Sequence, residues 1–205
     1  MLTLAIDSAT EACSVALFDN NELIAGDWRM LGRGHAELLV PMIAALPKNG
    51  RADRIAVSLG PGSFTGVRVG LAAARALALA WDAELTGFPT LDLVAAIARE
   101  QRAASPVTVA MTGGHGEWFI QSYAPDGTTT RPLASLPPGG ATEAAETLVA
   151  GSQAEALVAA RSHGEALPLW PDARSLPLLP KAAYRAEIHP LYGRAPDARL
   201  PGTRT

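Results

Sequence analysis

Along Leu2-Thr3-Leu4-Ala5-Ile6-Asp7 the larger apolar residues take every second place, the period of a strand. After a Ser-Ala-Thr-Glu turn, Cys13-Ser14-Val15-Ala16-Leu17-Phe18 reads as a second strand. Asn20-Asn21 can take the positive φ angles of a tight hairpin turn, so Glu22 to Trp28 is predicted as a third strand antiparallel to the second. From His35 to Leu46 the period changes. Leu38, Leu39, Met42, Ile43 and Leu46 fall at helical spacing, Pro41 removes one backbone donor inside the helix, and Lys48-Asn49-Gly50 closes it. Arg54 to Leu59 reads as a buried strand. Gly60-Pro61-Gly62-Ser63 turns it into a long helix from Phe64 to Ala80, with Ser63 as the N-cap. A strand near Leu85 and a helix from Thr90 to Gln101 complete an order of β-β-β-α-β-α-β-α ending near Ala103.

Beyond Ser105-Pro106 the pattern restarts with three strands, Val107 to Met111, Glu117 to Tyr123 and Arg131 to Leu136, separated by a Thr-Gly-Gly-His turn and a Pro-Asp-Gly turn. A helix is predicted from Thr142 to Ala150. Past it, Pro168, Pro171, Pro177 and Pro180 interrupt any regular period. The expectation is an α/β protein of two domains, residues 1–103 and a smaller, reduced copy in residues 104–205.

The composition changes this picture in two ways. The formal net charge of -3 across 205 residues does not suit a protein that must hold nucleic acid by itself, since that affinity comes from Lys and Arg neutralising phosphates. The local exception is the tail from Lys181 to Thr205, with five bases against two acids, which leaves -6 on residues 1–180. Cys13 is the single cysteine, so no intramolecular disulfide can form and a reducing compartment, the cytoplasm, is expected. The apolar run at the N-terminus is too brief for a signal peptide. Arg68 and Arg75 interrupt the longest apolar stretch, Val67 to Trp81, so no membrane span is expected.

Several constellations could carry chemistry. Asp7-Ser8-Ala9-Thr10 places a carboxylate and two hydroxyls in a turn, where they can hold a metal-bound phosphate through water or simply bond the local backbone. Gly60-Pro61-Gly62-Ser63-Phe64-Thr65-Gly66 precedes a helix whose free N–H groups can receive an anion, or it is only a tight strand-to-helix turn. It lacks the lysine of a Walker motif. Gly66, Gly70, Ala74 and Ala78 recur every four residues and leave a stripe without bulk, open to the close approach of another backbone or enclosed by the chain's own domain. A helix so nearly free of charge is expected to be covered on more than one side. His35, His115, His163 and His189 show no metal-binding pair at i, i+4, and no Gly-x-Ser-x-Gly elbow occurs, which disfavours metallopeptidase and serine-hydrolase chemistry. His35 and Glu37 fit helix capping and surface polarity. Cys13 fits a small packed hydrophobe.

Leu4-Ala5-Ile6-Asp7-Ser8-Ala9-Thr10-Glu11-Ala12-Cys13-Ser14-Val15-Ala16-Leu17, His35-Ala36-Glu37-Leu38-Leu39-Val40-Pro41-Met42-Ile43 and Gly60-Pro61-Gly62-Ser63-Phe64-Thr65-Gly66-Val67-Arg68 together resemble the TsaB (YeaZ) family, densely over residues 2–100. Pro190-Leu191-Tyr192-Gly193-Arg194-Ala195-Pro196-Asp197-Ala198-Arg199 is a weaker echo of it. The resemblance implies an actin-like, ribonuclease-H-like duplicated fold with a reduced second half. It also implies a non-catalytic dimerisation subunit for threonylcarbamoylation of adenosine in tRNA, without a metal or cofactor of its own. The partners implied are the transferase TsaD, the ATPase TsaE in a ternary complex, and a second copy of the chain when alone, with tRNA met only through the complex. The contact expected is through His35, Leu38, Leu39, Met42, Phe64, Val67, Gly70, Leu71, Ala74 and Ala78, on helices that pair with those of the partner. ATP or ADP is expected at the assembled interface, and Asp7, Ser8, Thr10 and Ser63 are the candidate nucleotide or phosphate contacts. One departure stands out: Thr112-Gly113-Gly114-His115 replaces an Asp-Ala-Arg-like turn of relatives, so a carboxylate and an arginine are missing. The rival reading is an autonomous ATP-dependent kinase of the actin-like class, built on Asp7 and its turn.

Overall fold

The computed structural model describes residues 1–103 and 105–193. The first half runs β1 (Leu2–Asp7), β2 (Ala12–Asp19), β3 (Glu22–Met30), α1 (His35–Ala44), β4 (Arg54–Ser58), α2 (Phe64–Trp81), β5 (Glu84–Phe88) and α3 (Thr90–Gln101). The second runs β6 (Val107–Thr112), β7 (Trp118–Tyr123), β8 (Thr129–Leu136), α4 (Pro138–Ala144), β9 (Leu148–Ala150), α5 (Ala154–Arg161) and β10 (Glu165–Leu167). Each half builds one five-stranded sheet, in the orders β3-β2-β1-β4-β5 and β10-β9-β6-β7-β8. In both, a three-stranded antiparallel meander is continued by two parallel strands. The duplication expected of an actin-like fold is present strand for strand, with shorter elements in the second copy.

Local chemistry sets the element ends as the sequence predicts. Asn20 and Asn21 take φ of 47° and 73°, turning β2 into β3. The Ser63 hydroxyl accepts from the Gly66 amide at 3.3 Å as the N-cap of α2, and Asp82 ends that helix in the left-handed region.

The elements stack in layers. One face of the first sheet packs on α1 and α2 through Leu4, Ile6, Leu39, Met42, Ile55, Val67 and Leu71. Its other face, with Ala5, Ala16, Phe18 and Ala56, meets Leu93, Ala96 and Ile97 of α3. The opposite side of α3, with Leu91, Val94 and Ala98, packs on Val107, Val109 and Met111 of the second sheet. Helix α3 therefore lies between the two sheets. The chain beyond β10 returns to the first half, where Ala173, Leu176, Leu179 and Ala183 complete the layer around α3.

The stretch read as a helix from Thr142 to Ala150 is corrected. Pro138 starts α4 earlier, at a first-turn position where its missing N–H costs nothing, and Ala145 is extended. Leu148, Val149 and Ala150 form β9, buried between β6 and β10. An apolar run this short has no period to separate strand from helix. Helix α5 and β10 follow, lying ahead of the proline-rich stretch. The basic-tail residues Arg194, Arg199 and Arg204, and the motif echo beyond Gly193, lie outside the described residues. Helix α2 is long and apolar enough, by length and composition, to cross a membrane, yet Gly66, Val67, Gly70, Leu71, Ala74 and Ala78 are buried against the chain's own first half.

Candidate functional site: the cleft between two equivalent turns and the outer face of α2

The β1–β2 turn of the first half and the β6–β7 turn of the second face one another across a cleft of about 680 Å³. Ala9, Thr10 and Glu11 line one side, Thr112 to His115 and Phe119 the other, and the N-terminal end of α2 and Pro190 to Gly193 close it.

Of the four candidate phosphate contacts, Thr10 and Ser63 reach this cleft. Asp7, the last residue of β1, does not line it. Asp7 is buried at 1% exposure. Its Oδ1 accepts from the Ala9 amide at 3.0 Å, and Oδ2 has no hydrogen-bond partner. Burial pushes its carboxyl up to about 7, against the opposing pull of the Ala9 N–H and the Ser58 hydroxyl. Ser8 is also committed, donating to the Gly66 carbonyl at 2.9 Å. Thr10 accepts from the Ala12 amide at 3.2 Å, and the Ser63 amide donates to the Ala9 carbonyl at 2.6 Å. The N-terminus of α2 is thus pressed onto the β1–β2 turn, with the Ala9 carbonyl where a Cβ on Gly62 would stand. Asp7 and Ser8 serve this packing, and Thr10 and Ser63 are the two of the four that face the cleft.

The equivalent turn of the second half carries a hydroxyl where the first has a carboxylate. Thr112 ends β6 as Asp7 ends β1. It is held by Ser152, whose Oγ accepts from the Thr112 amide at 3.0 Å, and by Gln153, whose side-chain amide donates to the Thr112 hydroxyl at 2.9 Å. Gly113 and Glu117 close the turn at 2.9 Å.

The small-residue stripe of α2 faces inward. A Cβ on Gly66 would collide with the Ser8 carbonyl, and one on Gly70 would stand 2.5 Å from the Ser8 hydroxyl oxygen. Ala74 and Ala78 are buried. The backbone that approaches the stripe is that of the chain's own β1–β2 turn. His35, Leu39, Met42, Val67 and Leu71 are buried as well, while Leu38 is half-buried and Phe64 is 59% exposed. His35, read as capping and surface polarity, is inside instead: Gly34 caps α1 and His35 Nε2 has no partner. Cys13 lies fully buried in the core, its thiol pushed up to about 12 by burial.

What the two helices present outward is different. The outer face of α2 carries Thr65, Arg68, Ala72, Arg75, Ala76, Leu79 and Ala80, with Leu79 88% exposed. Beside it α1 exposes Ala36, Glu37, Val40, Pro41 and Ala44. Both arginines of α2 are engaged within the chain: Arg75 donates to the Ile188 carbonyl and Arg68 to the Tyr192 hydroxyl at 3.0 Å. Sequence reasoning missed Arg68, Tyr192 and Leu191 as a group, because partners more than a hundred residues apart leave no periodic signal. Among the described residues, no group of three or more His, Cys, Asp or Glu side chains could hold a metal ion.

Comparison with known proteins gives the family. Residues 29–136, a little over half of the chain, match the family model of TsaD, tRNA N6-adenosine threonylcarbamoyltransferase. The tRNA threonylcarbamoyladenosine biosynthesis protein TsaB of Escherichia coli (strain K12) is 37% identical over 62% of this chain and 56% of its own length. The chain spans about half the length of the curated TsaB relatives it matches. An uncharacterized protein of Mycobacterium tuberculosis (strain ATCC 25618 / H37Rv) is 31% identical over 96% of this chain and 93% of its own. The crystal structure of an uncharacterized Pseudomonas aeruginosa protein, described as similar to peptidase YEAZ, superposes with a TM-score of 0.78 at 27% identity, covering 94% of this chain and 99% of that one. With the sequence relatives, the structural likeness and the duplicated sheet order in agreement, the chain belongs to the TsaB (YeaZ) family, on an actin-like fold.

Proposed function

We propose that this chain is an accessory subunit, without a catalytic centre of its own, of the machinery that makes threonylcarbamoyladenosine in tRNA. It binds a TsaD-type transferase through the outer faces of α1 and α2. The relatives named for that biosynthesis support the pathway. The observation that carries the binding mode is the outer face of α2. This eighteen-residue helix has only two charged side chains, both are turned to the chain's own C-terminal segment, and Leu79, Ala76 and Ala72 stay in water. Small apolar residues flanked by the exposed Val40 and Pro41 of α1 let a second pair of helices approach closely, and covering them removes apolar surface from water.

The eight buried contact candidates shape this face from beneath, and Leu38 and Phe64 are the members a partner can touch. The same face serves a second copy of the chain when no transferase is present. A TsaE-type ATPase joins the pair, nucleotide acts at the assembled interface, and tRNA is met through the complex. Size-exclusion chromatography with light scattering, on the chain alone and mixed with the TsaD-type transferase of the same source, tests the reading. A one-to-one heterodimer that replaces any self-dimer is expected. Absence of a complex, with and without ATP, would overturn it.

A further inference from the structure

The segment from Arg185 to Gly193 is held at a series of points on the first half. Arg185 exchanges two backbone hydrogen bonds with Gly87 at the edge of β5, at 2.8 and 2.9 Å. Arg75 holds the Ile188 carbonyl, and Ile188 packs partly buried on the core beneath α1 and α2. The Leu191 amide donates to the Leu59 carbonyl at 2.7 Å, just past the end of β4. The Tyr192 hydroxyl accepts from Arg68, whose guanidinium lies 3.5 Å from the centre of the Phe64 ring, and Phe64 in turn stacks on Tyr192 at 6.3 Å and 28°. Gly193 then abuts Phe119 of the second half, where a Cβ would stand 2.5 Å from the ring. The segment therefore crosses the N-terminal end of α2, and Pro190 to Gly193 close the cleft there.

Its hold is light. Leu191 and Tyr192 remain 37% and 53% exposed, and His189 is exposed. A segment fixed by a few solvent-facing hydrogen bonds and little apolar burial opens at lower free energy than the sheets it covers. We propose that Ile188 to Gly193 is a strap that opens and closes the cleft between the halves, coupled through Phe64 and Arg68 to whatever covers the outer face of α2. Phe64 stands at i−4 to Arg68 and i−8 to Ala72 on that face, so a partner lying there bears on the Phe64–Arg68–Tyr192 stack. The identity of that partner rests on the proposed subunit role. The strap itself does not, and its test uses the isolated full chain.

Amide hydrogen exchange is measured residue by residue on the wild type, on an Arg68→Ala/Arg75→Ala double variant and on Phe64→Ala. In the wild type the Leu191 amide is expected to exchange well ahead of Val57 and Ile6 in the central strands. The double variant, which loses two charge-assisted hydrogen bonds, is expected to speed Leu191 by about ten-fold or more, and Phe64→Ala, which loses the ring stack and cation–π contact, by about three-fold, while Val57 and Ile6 keep their rates. Trypsin should then cut faster after Arg185. Leu191 exchanging only as slowly as Val57, or unchanged in the double variant, would overturn the strap. An effect of the double variant without one of Phe64→Ala would overturn the coupling. Failure of the transferase to bind is read separately by chromatography and leaves these rates as they are.

Discussion

The Tyr123 hydroxyl donates a 2.7 Å hydrogen bond to Asp92 Oδ1, joining β7 of the second half to α3 of the first. Both groups lie in the layer where α3 meets the second sheet, and Tyr123 is 2% exposed. Burial raises the Asp92 carboxyl, while the Tyr123 bond and the charge of Arg185 pull it back. Burial, followed by the charge of Asp92, holds the Tyr123 phenol far above its ordinary value, so it keeps its proton as the donor at any working pH. Two further bonds tie the chain beyond β10 back to the first sheet. The Trp28 indole donates to the Pro171 carbonyl at 3.1 Å, and the Ala173 amide to the Ser14 hydroxyl at 2.9 Å. The halves are joined by specific polar bonds as well as by the apolar faces of α3.

Tyr123→Phe removes the donor and leaves the Asp92 carboxyl in an apolar layer without it. A lost bond to a charged group costs about 1.5 to 3 kcal/mol, and with Asp92 half-buried urea melts should show a loss near the lower end of that range. Pairing Tyr123→Phe with Asp92→Leu should recover part of it, since no orphaned carboxyl remains. A Tyr123→Phe variant as stable as the wild type would show that the bond contributes nothing across the halves.

Asp7 gives the fold a pH dependence of known sign. Its carboxyl sits at about 7 in the folded chain against 3.8 as its ordinary value, so between those limits the folded state keeps a proton the unfolded chain has released. Stability therefore falls as pH rises from about 4 to about 7 and levels off above it. Asp7→Asn keeps the shape and cannot ionise. The difference between the two proteins should grow in favour of the variant across that window, by roughly 4 kcal/mol at its upper limit. Parallel slopes for wild type and variant in melts from pH 4 to 8 would assign the dependence to other groups.

How much the sequence discloses depends on whether the cause is local. The strands of the first half, the Asn20-Asn21 hairpin and the Ser63 cap are read correctly because each rests on residues a few positions apart. β9 is misread because three residues carry no period, and the fact that decides it, pairing with β6, comes from forty residues upstream. The stripe on α2 is real as a pattern, and close approach is its purpose. What a pattern cannot disclose is whose backbone approaches, and here it is that of Ser8. The Arg68–Tyr192 contact is out of reach for the same reason, since nothing local to either residue names the other.

Gly70→Leu is therefore a test of the fold. The side chain would be built into the Ser8 hydroxyl, with Val57 beyond it, on a helix that cannot withdraw without losing the Ser8 bond to Gly66. Overpacking costs about 1 to 3 kcal/mol in cores that can adjust, and the Ser8 side chain at this site is held by its bond to the Gly66 carbonyl, so a loss toward that upper end is expected in thermal melts. A variant that folds with wild-type stability and loses only its partner would return the stripe to the surface.

Leu79→Asp tests the opposite side of the same helix. Leu79 is 88% exposed, so a carboxylate there stays in water and folding should change by no more than about 0.5 kcal/mol. In a complex formed on this face the charge would be driven into an apolar contact with no partner, which outweighs the lost leucine surface, and affinity should fall by more than about ten-fold. Calorimetric titration with the TsaD-type transferase, with thermal melts of each chain alone, reads both quantities. If Gly70→Leu unfolds the chain and Leu79→Asp leaves it folded but unpaired, the two faces of α2 have separate tasks. If Leu79→Asp binds as the wild type does, the partner surface lies elsewhere, and the apolar outer face of α2 needs another explanation.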